Sequence, residues 1–324
     1  MAKRHVHFTR PKTVSDHGPI YHKDSTPLIL DHAKIHGAAQ AVIITPNVGK
    51  HENVGWRIRD CELYGHRKFQ PNVKRWRVEP PWIIRTYMMS DLKIERTWFR
   101  SKVKEHDVYM DLDFEHGDVV IDGNFFDGPM SQGTQFVGPQ SRSMNTGWPE
   151  RRSNTGKLFI TNNLYKHCGQ WNWWAAHGIS RPASAMSVFR CVEKLSIHAH
   201  GNHLKSQMGW FAKSQPGGYK SYGAAMFEGA RYLEFSDNLI EYKQPSNRDV
   251  IIFDDCDEVI AEKNIIKGGK VEVRIPNEFI WRDNKGYGLV KYVDGNGKRH
   301  MLPGDVTWTY VFNAGYLTEA KPPA

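Results

Sequence analysis

Carboxylates, histidines, tryptophans and cations fall into two patterns along this 324-residue chain. The first is a file of residues that each follow an apolar residue of a recurring motif: Asp31, Arg59, Glu95, Asp122, Thr161, His198, Ser236 and Glu262. Glu95 and Asp122 are consecutive in the file. If its members sit on adjacent strands, the two carboxylates lie roughly 5 Å apart. Carboxylates that close repel, so one pKa rises and the pair offers an acid beside a base or nucleophile. His198, flanked by His200 and His203, is the third candidate catalytic group. The cluster of histidines has no cysteines or carboxylates at metal-ligand spacing, so neither a metal nor another cofactor is expected. The plainer use of the whole file is as the polar solvent face of a sheet.

The second pattern lies in four long segments, 65–87, 128–156, 166–188 and 204–223. They hold seven of the eleven tryptophans. Trp171, Trp173, Trp174 and Trp210 are the sharpest instances, with Arg152 and Lys205 among the cations beside them. Indoles stack on sugar faces, and Arg or Lys binds carboxylate or sulfate. These six residues are the candidate substrate-binding set. The same tryptophans can equally pack the loops down or seal a subunit contact. Aromatic and basic residues together also suit single-stranded nucleic acid, but no recognition motif accompanies them, so nucleic acid is not the expected partner.

The elements that carry both patterns follow from a repeat: an apolar residue, Asn or a small residue three later, and an apolar residue two after that. Leu30-Ala33-Ile35, Ile58-Cys61-Leu63, Ile94-Thr97-Phe99, Ile121-Asn124-Phe126, Ile160-Asn163-Tyr165, Phe235-Asn238-Ile240 and Ala261-Asn264-Ile266 fit it. An eighth copy, from Ile197 to Asn202 and Leu204, reads with two extra residues in its turn. The central positions are 26 to 39 residues apart, which indicates one structural unit with loops of varying length. Short period-2 runs such as 250–253 precede the copies, and helical periodicity is nearly absent. Repeated short strands with each unit pairing only its neighbours predict a parallel β-helix of about eight coils. Stacked asparagines at ~4.8 Å can bond amide to amide, Asn124 to Asn163 and Asn238 to Asn264. Asparagine also tolerates a left-handed turn.

Strings such as Val119 to Phe126 and Leu233 to Ile240 make the chain resemble the right-handed parallel β-helix, or pectate-lyase-like, superfamily over about residues 28–282. That resemblance implies an all-β fold. It spans polysaccharide lyases, glycoside hydrolases, epimerases and bacteriophage tailspikes, so it assigns no single reaction. Of the motifs that mark polygalacturonase-like hydrolases only Asp254-Asp255 is present, ahead of its motif strand.

Composition bounds the rest. The charge surplus of +9 attracts polyanions of any kind, acidic polysaccharide included. No run reaches the ~18 apolar residues of a membrane span, and no apolar stretch follows the basic start, so neither a membrane partner nor an intact secretory signal is expected. The four cysteines show no Cys-x-x-Cys pair and read as buried thiols. Residues 1–27 read as an extended basic arm, 28–282 as the β-helix and 283–324 as a hairpin-like cap over the last coil. The expected function is that of a bacteriophage virion-associated protein, tailspike-like, fibre-like or decorating, that binds surface polysaccharide. Its place is then the virion or the extracellular space. Val6, Phe8, Ile20 and Tyr21 of the arm are expected to bury against a neighbouring chain, in a homo-oligomer or on a virion. The alternative is a secreted lyase or hydrolase of an acidic glycan, with Lys205, His198 or Tyr165 taking the proton.

Overall fold

The computed structural model describes residues 6, 8–13, 15–17, 20–36, 41–44, 53–65, 82–101, 107–112, 117–128, 133–137, 156–168, 184–189, 195–206, 224–242, 249–267, 270–274, 278–285, 289–294, 296, 298–303, 308–313 and 316–321. Among these residues the fold is all β, without a helix. The strands form three long sheets of nine, eleven and twelve members. The chain visits them in rotation: Ile29–Asp31 lies in the eleven-stranded sheet, Ala33–His36 in the nine-stranded and Ala41–Ile44 in the twelve-stranded. Arg57–Arg59, Glu62–Gly65 and Trp82–Ser90 repeat that order one rung on. Pairing from rung to rung is parallel until the C-terminal strands. Long parallel sheets fed in rotation are compatible with a parallel β-helix or a similar solenoid.

The motif residues stack as the spacing predicts. Ile94, Ile121, Ile160, Ala199, Phe235 and Ala261 are successive register partners in the eleven-stranded sheet, and all are buried. In the nine-stranded sheet Phe99, Phe126 and Tyr165 stack inside, with ring centroids 4.6 Å apart at each step. A file of asparagines closes the turn between these two sheets. The Asn124 backbone N–H and side-chain amide donate to Asn163 Oδ1 at 2.9 and 3.0 Å. The same pair of bonds runs from Asn163 to Asn202, Asn202 to Asn238, Asn238 to Asn264 and Asn264 to Asn284. Each amide also donates to a carbonyl on the preceding rung, such as Asn163 Nδ2 to Ile121 O at 2.8 Å. Buried amides fully bonded in this way leave no desolvated polar atom behind.

The residue before each ladder position has positive φ: His32, Asp60, Arg96, Gly123, Asn162, Gly201, Asp237, Lys263 and Asp283, from 47° to 66°. That left-handed residue turns the chain from one sheet into the next. The eighth copy is corrected here. Ala199, not Ile197, partners Ile160, so the copy reads Ala199-Asn202-Leu204 and its turn holds no extra residues. Asn284 extends the ladder 20 residues past Asn264, where the repeat had not been followed.

Both ends join the sheets. Ser15–His17 and Ile20–Tyr21 begin the nine- and twelve-stranded sheets and pair in parallel with Ala33–His36 and Ala41–Ile44. Phe8 lies against Phe125 at 5.2 Å and Trp98 at 6.2 Å, and Arg10 donates to Glu62 Oε2 at 2.9 Å. Ile20 packs on the core. Phe8 and Ile20 thus have apolar partners within the chain, while Tyr21 stays 57% exposed. At the other end Leu289–Val293 and Arg299–Pro303 form an antiparallel pair, and Trp308–Asn313 runs antiparallel to Glu278–Arg282. Cys61, Cys168 and Cys256 are buried free thiols; Cys191 lies outside the described residues.

Candidate functional site

The outward face of the eleven-stranded sheet carries the polar file. Alternation along each strand points Ile58, Ile94 and Ile121 inward and their successors out. Register places Asp31, Arg59, Glu95, Asp122, Thr161, His200, Ser236, Glu262 and Arg282 in one column. His200 occupies the position expected for His198, because the motif copy starts two residues later than the sequence reading had it. His198 is on the same face, one column over, between Phe159 and Glu234 in register.

Glu95 and Asp122 are direct register partners on adjacent strands, as expected. Their surroundings are rich in compensation. Asp122 Oδ1 accepts from Thr161 Oγ1 and from Asn162 Nδ2 at 2.9 Å. Arg96, bonded to Asp60 through two nitrogens at 2.8 Å, also lies in the field of Glu95, as does Arg59. Cations on one side and donors on the other give this pair the makings of a structural charge network as much as of an acid–base couple.

His198 has the more specific setting. Its Nδ1 is 2.9 Å from Glu234 Oε2, and Glu234 Oε1 accepts from Ser236 Oγ at 3.1 Å. Burial pushes the Glu234 carboxyl up, but the bonds from His198 and Ser236 outweigh it and hold it below the ordinary range. The imidazole is stacked on Phe159 at 4.9 Å and tilted against Tyr232 at 5.5 Å. A carboxylate on Nδ1 orients the ring and leaves Nε2 for a ligand or a proton. The spacing of Asn202 was the signal that could have found this cluster: counting three back gives Ala199, which shifts His198 beside Phe159 and Glu234.

The other candidates divide. Lys205 is exposed on the outer face of the nine-stranded sheet, between Lys166 and Glu241 in register, and so belongs to a different face from His198. His203, also on that sheet, puts Nε2 2.9 Å from Glu241 Oε2, while Lys267 donates to Glu241 Oε1 at 2.8 Å. Trp171, Trp173, Trp174, Trp210 and Arg152 lie outside the described residues. Tyr165 is corrected: it is fully buried, burial pushes its phenol up strongly, and its hydroxyl is 3.2 Å from Thr134 Oγ1. It takes no proton from an external substrate.

Asp31, His32 and Asp60 bring three possible ligand atoms within 4.8 Å of one another. Arg59 occupies Asp31 at 2.8 and 3.1 Å and holds its carboxyl at about 2. Arg96 occupies Asp60 in the same way. With each carboxylate already neutralised by a guanidinium, the group is an ion-pair ladder. No protein-family model matches the chain, nor does any curated protein or any solved structure.

Proposed function

We propose that the chain is a right-handed parallel β-helix of the pectate-lyase-like kind and that it binds surface polysaccharide as a virion-associated protein. The handedness follows the general rule for parallel crossovers. The observation that carries the binding role is the Phe159–His198–Tyr232 group with Glu234 beside it. Aromatic rings give a sugar ring an apolar platform, and fixed hydrogen-bonding groups at their edge select its hydroxyls. Strands stacked at ~4.8 Å repeat such groups along a line, which suits a polymer better than a small solute. The virion placement rests on the resemblance to tailspikes. Exposed Tyr21 and Ile29, at 57% and 62%, support a contact with a neighbouring subunit at the N-terminal end.

Affinity electrophoresis through gels cast with neutral, acidic and amino polysaccharides tests the role. The wild-type chain is retarded by at least one of them, and a Phe159→Ala, His198→Ala variant of unchanged circular dichroism is not. Retardation by none of the three overturns the proposal. One observation favours the second reading, a polysaccharide lyase or hydrolase: His198 is oriented by Glu234 as a general base is. Ultraviolet absorbance of unsaturated products and reducing-end assays on the same glycans test it.

A further inference from the structure

The segment ahead of the first strand is held in place by side chains. Among the described residues, 6 and 8–13 make no backbone–backbone hydrogen bond. Phe8 sits against Phe125 and Trp98, and Arg10 both donates to Glu62 Oε2 at 2.9 Å and stands 5.1 Å over the Trp98 ring. The seat they fill is built on strands. The Glu62 side chain is 1% exposed and takes a second guanidinium, Arg100, at 3.0 Å; Arg100 in turn stands 4.2 Å over the Trp98 ring. Asp16, Lys34, Glu62, Trp98 and Phe125 form one register column of the nine-stranded sheet. From Ser15 the segment therefore runs along the outer face of that sheet, away from the end of the stack.

That course leaves the N-terminal end open. Among the described residues each sheet stops there at a strand with one pairing partner: Ser15–His17, Ile20–Tyr21 and Ile29–Asp31. Leu28 O accepts from the Arg57 N–H and the His32 N–H donates to Arg59 O, so by alternation the N–H and C=O groups of Ile29 and Asp31 face away from Arg57–Arg59. Such a row of unpaired groups is a template for another strand. Tyr21 and Ile29, two of the exposed large apolar side chains, lie on these same end strands. At the C-terminal end, by contrast, antiparallel strands extend two of the three sheets.

We infer that two copies of this chain join at their N-terminal ends by exchanging these segments, Phe8 and Arg10 of each copy filling the Glu62–Trp98–Phe125 seat of the other. The inference rests on the neighbour contact proposed above for Tyr21 and Ile29, and names its occupant. Exchange keeps every contact of the seat and adds the junction between the two ends. The reach suffices. Phe8 lies level with Trp98 and Phe125, three and four strands on from Ser15–His17, about 17 Å along the stack. Crossing the junction adds one strand spacing, about 22 Å in all. The chain from Ser15 back to Phe8 can span about 23–25 Å when extended. With the two nine-stranded sheets aligned about a two-fold axis, the twelve-stranded sheet of each copy lies over the eleven-stranded sheet of the other. Tyr21 of each copy then comes beside the partner's Ile29.

The test is sedimentation equilibrium of the full chain, expected to give a dimer, and of two variants. Phe8→Ala, Arg10→Ala keeps a sound seat but loses the anchors; Glu62→Gln, Trp98→Ala keeps the anchors but spoils the seat. Each alone should dimerise about tenfold more weakly or worse, as expected when an aromatic and an arginine anchor are lost. An equimolar mixture of the two should recover a heterodimer, because one intact segment then meets one intact seat. A peptide of residues 1–14 gives the same answer should the seat variant fail to fold: it is expected to bind the first variant and, in excess, to dissociate the wild-type dimer. A dimer that both variants keep, a mixture that recovers nothing or a dimer unmoved by the peptide overturns the exchange and leaves the N-terminal contact standing. A wild-type chain that stays monomeric overturns both, while the retardation assay on polysaccharides decides the binding role separately.

Discussion

Replacing Asn163 by alanine removes one member from the middle of the amide ladder. Its Oδ1 accepts the Asn124 backbone N–H at 2.9 Å and the Asn124 amide at 3.0 Å; its Nδ2 donates to Asn202 Oδ1 at 3.1 Å and Ile121 O at 2.8 Å. Asn163 and Asn124 are both 0% exposed, so water does not replace what is lost. The Asn124 side chain keeps its bond to Ile94 O, and Asn202 Oδ1 keeps the Asn163 backbone N–H, but the Asn124 backbone N–H is orphaned. A buried donor left unpaired costs about 1–3 kcal/mol and each other lost bond about 1 kcal/mol, which places Asn163→Ala at about 4 kcal/mol or more. Asn284 makes the same kinds of bond at the end of the ladder but is only partly buried, so water offsets part of the loss and Asn284→Ala costs about 1–2 kcal/mol. Urea unfolding followed by circular dichroism compares the two. Amide exchange at Asn124 then locates the damage, since a stacked fold loses stability locally, at the rungs that touch the change. Equal losses for the two variants, or a cost below about 1 kcal/mol for Asn163→Ala, would show that the ladder follows the fold without holding it together.

Acid should weaken the fold in stages. Glu62, Glu234 and Glu241 have carboxyls held below their ordinary value, Glu241 at about 2, chiefly by its bond from Lys267. A lowered folded pKa contributes stability that is present above the unfolded value and lost as pH falls through the folded one. Melting temperature should therefore drop from about pH 4.5 downward, and Glu241→Gln should flatten the lowest part of that profile; a profile unchanged by the substitution refutes the assignment. Gly201→Ala should cost about 1–2 kcal/mol in chemical denaturation, because φ is +66° there and an added Cβ would stand 2.6 Å from Asn162 Oδ1. Removing residues 2–24 takes away two sheet strands, the Phe8 contact with Trp98 and Phe125, and the Arg10 partner of buried Glu62. The melting temperature should fall sharply; a truncated chain as stable as the full one would return the segment to the role of a free arm.

How much of this was open to reading from the chain alone is seen in particular residues. The apolar-Asn-apolar spacing was legible because every rung imposes the same demands on it: an inward apolar residue, a left-handed turn and a side chain that bonds along the stack. Ile121, Ile160 and Phe235 fall on one face for that reason, and Asn124 pairs with Asn163. Glu95 and Asp122 could be placed on adjacent strands by the same count. What the count missed was register at the rung of Ile197 and Ala199, two apolar residues that both fit the inward pattern. A period of two cannot choose between them; the ladder, which needs Asn202 beside Asn163, chose Ala199. That shift moved His198 out of the Asp122 column and next to Phe159 and Glu234. The partners of His198 were beyond the sequence for another reason. They come from residues 34 to 39 positions apart, and only the stacking of those rungs decides which side chains meet. The N-terminal segment shows the same limit. Its basic, unperiodic sequence read as an arm in search of a neighbour, but only the folded chain sets the Trp98 and Phe125 rings, stacked 5.9 Å apart, where Phe8 can cover them.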